Sequence, residues 1–256
     1  MNRLCHRRVR TNSTAIFAWA LVAVPALSVA LLTGCSNSPG RPTANSETVA
    51  PNDILDFDTL YAGNCSGCHG PQGKGGASIA LANPVYLAIA DDVTVRNAIA
   101  KGLRGTLMPA FAQRAGGMLT DKQVDVIASG IRSNWGKPGI LDGANPPSYT
   151  AKSPGDAPRG AAAFKTYCAS CHGAEGRGGP KGSSITDDSF LALLSDQELR
   201  TMVITGRPEL GAPDWRGNVP GRPMSEQDVS DVVAWLVAQR AQNPGQPYSV
   251  STNAQR

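Results

Sequence analysis

Histidine is almost missing from this chain, with three in 256 residues. Aromatic side chains are scarce as well, at 5 %. A core built from side chains alone would be thin at that level, so a large buried apolar group would have to supply the missing bulk. No convincing run of alternating apolar and polar residues occurs, which argues against a sheet protein. Clustered lysine and arginine are also lacking. The net charge of +4 comes from Arg3, Arg7, Arg8 and Arg10, in a stretch of 35 residues without an acid. The remaining 20 basic residues balance 20 acidic ones, so no nucleic-acid surface is indicated. Abundant Gly (28) and Pro (19) suggest loop-rich domains.

Long apolar runs are limited to one, the 17 residues from Ile16 to Leu32, interrupted by Pro25. A basic start followed by such a run has the layout of an export signal. It stops at Leu32-Thr33-Gly34-Cys35, which resembles the bacterial lipobox. Residues 1–35 are therefore expected to be a signal peptide, with Cys35 lipidated and anchored to the membrane by its acyl chains. An uncleaved anchor helix or an ordinary cleaved signal are the alternatives, and both still place the body outside the cytoplasm. Residues 36–52, rich in Ser, Pro, Asn and Thr, read as a flexible stalk.

The rest of the chain repeats once. CSGCHGPQGKGG (65–76) matches CASCHGAEGRGG (168–179). Gly102 and Met108-Pro109-Ala110-Phe111 match Gly206 and Ala212-Pro213-Asp214-Trp215. Leu119-Thr120-Asp121 matches Met224-Ser225-Glu226. Between the copies, Gly136 to Pro158 holds five Pro and four Gly. The reading is domain 1 at 53–136, a linker at 137–157, domain 2 at 158–242 and a disordered tail at 243–256. Each copy reads as helical. Short helices run into Cys65 and Cys168, middle helices cover Val93–Lys101 and follow Ser195-x-x-Glu198, and last helices follow Thr120-x-x-Gln123 and Ser225.

Four cysteines form two C-x-x-C pairs, Cys65/Cys68 and Cys168/Cys171, each followed at once by a histidine, His69 and His172. Two thiols at this spacing can form thioethers to the two vinyl groups of one haem, and the next imidazole then lies under the iron. A four-thiolate zinc site would leave both histidines unexplained. A thioredoxin-like pair needs a strand-helix context that is absent. Disulfides would not require histidine.

With these motifs in place, residues 53–242 resemble a tandem of class I cytochrome c domains. The resemblance implies an all-α fold of two small haem domains and two covalently bound haem c groups, one on Cys65 and Cys68, the other on Cys168 and Cys171. It also implies His69 and Met108 as the axial ligands of the first iron and His172 as a ligand of the second. The family's distal methionine falls on Ala212 in copy two, and a methyl group cannot ligate iron. The second haem is then open, or reached by Met224, or less readily by Met202 or Lys181. No third histidine is present in the body.

The expected function is a dihaem carrier of single electrons outside the cytoplasm. It would be tethered at the periplasmic side of a bacterial membrane and would exchange electrons with a quinol-oxidising complex, a terminal oxidase or a soluble cytochrome. The competing reading is a dihaem enzyme, a peroxidase or thiosulfate oxidase, working at an open second haem. Catalysis there would need a positioned acid or base. Only Arg207, Glu209, Asp214 and Arg216 flank the loop, and these read as solvated charges.

Overall fold

Side-chain caps punctuate the chain, and they fall in the same order twice. The computed structural model describes residues 49–241. In the first repeat, Asp56 accepts from the Thr59 amide and starts α1 (Phe57–Asn64), which leads into a single turn, α2 (Ser66–His69). Asn83 caps α3 (Pro84–Ile89), with proline at a position where no amide is needed. Asp91 caps α4 (Asp92–Lys101), and a reciprocal Thr120–Gln123 capping box starts α5 (Asp121–Trp135). The second repeat answers with α6 (Ala157–Tyr167), α7 (Ala169–His172), α8 (Asp188–Leu193), α9 (Asp196–Thr205) and α10 (Glu226–Ala238). Their caps are Asp156, Asp187, the Ser195–Glu198 box and the Ser225–Asp228 box. Among the described residues there is no strand, only two isolated bridges.

Each repeat closes around its last helix. In the first, α1 and α4 pack on α5, burying Leu60, Tyr61, Val95, Ile99, Val124, Ile127 and Ile131. In the second, α6 and α9 pack on α10, burying Tyr167, Leu199, Ile204, Trp215, Val229, Val232 and Leu236. An arginine from each C-terminal end fastens the corner before the middle helix. Arg132 donates to the Leu87 and Ala90 carbonyls, and Arg240 donates to those of Leu191 and Leu194.

The repeats are joined by more than the connecting chain. Val85 of α3 belongs to the second repeat's core, and α3 lies against α9. The Asn83 side-chain amide donates to the Thr205 carbonyl at 3.0 Å, and Arg207 donates to the Gly76 carbonyl at 3.1 Å. The Pro- and Gly-rich segment between the repeats forms no helix before Ala157, yet it is pinned down. The Ser148 amide donates to Glu226, the Ser153 hydroxyl to Gln227, and Arg200 to the Ser148 and Tyr149 carbonyls.

The expected signal peptide, Cys35, most of the stalk and the tail at 243–256 lie outside the described residues. Among the described residues no helix is long and apolar enough to cross a membrane. At the end of the stalk, the Pro51 carbonyl accepts from the Gln123 side chain of α5 at 2.8 Å.

Candidate functional site

Both C-x-x-C-H segments form one helical turn at the end of a longer helix. The Cys65 amide donates to the Tyr61 carbonyl (2.9 Å), and the Cys68 and His69 amides both donate to the Cys65 carbonyl (3.2 and 3.0 Å). The second motif repeats this, with Cys168 bonded to Phe164 and with Cys171 and His172 bonded to Cys168 (2.8, 3.1 and 3.0 Å). Residues at i, i+3 and i+4 share one helical face, so each turn gathers two thiols and an imidazole. All four thiols are free rather than disulfide-bonded. Burial, with a smaller contribution from Cys68, pushes the Cys65 thiol up to about 11; burial, then Cys171, pushes Cys168 up to about 12. Among the described residues no three or more His, Cys, Asp or Glu side chains are arranged to hold a metal ion between them.

The imidazoles are oriented by main-chain oxygens. His69 Nδ1 lies 2.9 Å from the Ile79 carbonyl oxygen, and His172 Nδ1 lies 2.8 Å from that of Ser183. A carbonyl can only accept, so Nδ1 carries the proton in both rings. In the neutral ring this tautomer keeps the lone pair on Nε2, the form in which imidazole binds a metal. Burial also lowers the His69 pKa, against smaller opposing effects of the Ile79 carbonyl and Glu198, and so favours the neutral ring.

The loop after each histidine folds back over its own motif. Gly70 and Gly173 take φ of 82° and 79°, which favours glycine. A Cβ on Gly70 would stand 1.9 Å from the Lys74 carbonyl oxygen, and one on Gly76 would stand 2.1 Å from that of Cys68. Trp135 covers Gly73 in the first loop. Trp235 lies near the corresponding Gly176, although the two tryptophans occupy different positions along their helices.

The loop that carries Met108 has a matching path in both repeats. The Leu103 amide donates to the Met108 carbonyl, and the Arg207 amide donates to the Ala212 carbonyl, both at 3.0 Å. Gly102 and Gly206, with φ of 68° and 61°, let that carbonyl strand pass closely. Ala212 is thus the structural counterpart of Met108. Met108 is half-buried, whereas the neighbouring Met118 is 77 % exposed.

Met224 stands elsewhere. It is 2 % exposed in the second core, and its amide donates to the Trp215 carbonyl as the Leu119 amide does to Phe111. Its sulfur accepts from the Asn218 side-chain amide at 3.7 Å.

The charges on the Ala212 loop are committed to partners. Arg207 pairs with Glu209, each side chain 18 % exposed, and Arg216 pairs with Asp214 at 2.7 Å while also donating to the Ile140 carbonyl. The sequence reads these four as solvated; in the structure they form local pairs, and Arg207 and Arg216 also reach the Gly76 and Ile140 carbonyls. The residues that orient the site were not legible beforehand. Ile79 and Ser183 act through main-chain oxygens, which leave no trace in residue type.

Taken together, each turn offers two free thiols and a lone-pair nitrogen on one face, the donor set that a covalently attached haem requires. The family model for cytochrome c oxidase, cbb3-type, subunit III matches residues 52–129 and again 155–236. A cytochrome bc1 complex cytochrome c subunit of Mycobacterium tuberculosis is 25 % identical over 188 residues, covering 73 % of this chain and 64 % of its own length. The chain therefore spans a little under two thirds of that relative. A protein of the same name from Corynebacterium efficiens is 23 % identical over 232 residues, covering 86 % and 74 %. Among solved structures, a reducing HAO-like protein complex of Kuenenia stuttgartiensis superposes with a TM-score of 0.39 at 18 % identity, covering 76 % of this chain and 98 % of that one.

Proposed function

The chain belongs to the cytochrome c oxidase, cbb3-type, subunit III family, and from that premise we propose that it is a dihaem c-type cytochrome carrying single electrons outside the cytoplasm. The observation that carries this reading is the duplicated turn, with two free thiols beside an imidazole held by a main-chain carbonyl. Cys65 and Cys68 would hold the first haem, and Cys168 and Cys171 the second. His69 and Met108 would ligate the first iron, and His172 the second. A bound haem would supply reversible one-electron chemistry, and a thioether ligand such as Met108 would favour the reduced iron. The protein's own part is positional. The Ile79 and Ser183 carbonyls fix the ring tautomer, and the glycine loops fold back against each motif.

Contacts between the repeats keep the two sites at one separation, which suits transfer from one to the other. The relatives named as bc1 complex subunits support a quinol-oxidising complex as electron donor, with a terminal oxidase or soluble cytochrome as acceptor. Cys35 would tether the chain by lipid at the periplasmic side of the membrane, with residues 36–52 as stalk.

The test is a mass measurement on the denatured mature protein, followed by a spectroelectrochemical titration of the folded one. Two porphyrins should stay on the chain, and both irons should cycle by single electrons. A chain without bound porphyrin would overturn the reading.

A further inference from the structure

The two repeats differ where an iron ligand is expected, and the difference has chemical content. We infer that the second site offers no protein ligand on its distal side, and that its reduced iron binds a small neutral diatomic molecule there. This rests on the reading of the second repeat as a haem domain.

Two observations carry it. First, Ala212 stands in register with Met108, fixed by the same amide-to-carbonyl bond from the residue five positions earlier, and a methyl group has no lone pair to give. Gly206 has a positive φ like Gly102, and each lies six positions before the residue whose carbonyl it passes. Second, the methionine that follows the loop, Met224, is engaged elsewhere. Met224 is buried in the core at the place of Leu119, its amide and its sulfur both have partners, and reaching an iron would mean abandoning that packing.

The surrounding charges narrow the chemistry from catalysis to binding. Arg207, Glu209, Asp214 and Arg216 neutralise one another in pairs, and Arg207 also holds the Gly76 carbonyl of the first repeat. None is left as a positioned proton donor or acceptor, which bond-breaking chemistry at an open iron needs. A neutral diatomic ligand that requires no proton transfer fits such a site. The Arg207 contact also places this loop against Gly76, at the end of the glycine loop that follows the first repeat's motif.

The experiment uses the purified holoprotein. Carbon monoxide titrated into the reduced protein should bind at one iron per chain, and electron paramagnetic resonance of the oxidised protein should show one high-spin and one low-spin haem. Ala212→Met should convert the high-spin signal to low-spin and cut carbon monoxide binding from one per chain to none, whereas Met224→Leu should leave both signals as in the wild type. Two low-spin irons and no carbon monoxide binding in the wild type would overturn the inference, and a high-spin signal that appears only in Met224→Leu would assign the ligand to Met224. In either case two porphyrins on the denatured chain would leave the electron-carrier reading intact. Hydrogen peroxide turnover well above that of free haem would overturn the restriction to binding.

Discussion

In the first repeat an aromatic ring on the N-terminal helix lies over a glycine on the C-terminal helix; in the second the two residues have changed places. Phe57 and Gly160 each stand eight residues before the first cysteine of their motif, and Gly130 and Trp235 each stand six after an aligned valine, Val124 or Val229. A Cβ on Gly130 would lie 2.0 Å from the Phe57 ring. One on Gly160 would lie 2.0 Å from the Asp231 carbonyl oxygen and 2.8 Å from Trp235 Cβ. The crossing fixes the combined volume of the pair and leaves open which helix supplies the bulk. The ring neighbours differ accordingly. Phe57, Tyr61 and Trp135 meet tilted or edge-on, whereas Phe164 stacks on Trp235 with centroids 4.2 Å apart.

The sharpest way to break the comparison is to add one methyl group on each side. Gly160→Ala should cost about 3 kcal/mol in denaturant unfolding of the holoprotein, because the obstacle is backbone that cannot retreat. Gly130→Ala should cost about 1 kcal/mol, because a ring can shift and alanine is the better helix former by roughly that amount. Equal costs would show that the two crossings do not differ in the way their contacts suggest.

A second pairing separates the repeats by burial. Arg96 and Arg200 hold the same place in α4 and α9. Arg96 meets Asp125 and Asp121 at the surface, while Arg200 is 3 % exposed and joined to Glu226 beneath the connecting segment. Arg200→Ala should destabilise by about 2 kcal/mol, less than for a fully buried pair because Glu226 is partly in water. Arg96→Ala should cost about 0.5 kcal/mol and lose even that at high salt. Thermal unfolding of both variants at low and high ionic strength checks this.

A third contrast depends on pH. Burial tends to raise the Asp231 pKa, but Arg159, Gln227 and the Asp156 amide outweigh it and hold the carboxyl below its ordinary value. A carboxylate lowered in the folded state adds stability that is complete above its unfolded value and is lost as pH falls through the folded one. Asp231→Asn should therefore cost about 1.5 kcal/mol at neutral pH. That difference should shrink steadily on acidification below the ordinary carboxylate range. The aligned residue in the first repeat is Val126, which has no carboxyl to titrate.

Much of this could be read from residue types. The capping boxes at Thr120 and Ser195 mark helix starts where α5 and α9 begin, because a side-chain oxygen three residues before a polar partner is a local device. The spacing of Cys65, Cys68 and His69 implied one shared face for the same reason. The short helices α3 and α8 went unread, since six residues are too few to show a period, although Asn83-Pro84 and Asp187 were available as start signals. The pinning of the connecting segment left no sign, since it works through the Ser148 amide and the Ser148 and Tyr149 carbonyls. The Asn83–Thr205 bond joins residues far apart in the chain, and nothing local announces it. The tandem arrangement was legible from the repeat itself; the surface on which the repeats meet was not.

The anchoring of His69 and His172 to carbonyl oxygens has a consequence for how this protein tolerates change. Every amino acid brings the same oxygen, so no replacement at 79 or 183 deletes the acceptor, and the chain already places isoleucine at one and serine at the other. Ring orientation is thereby insulated from drift at those two codons. It is exposed instead to insertions and deletions between histidine and acceptor, which would slide a different oxygen, or none, into place.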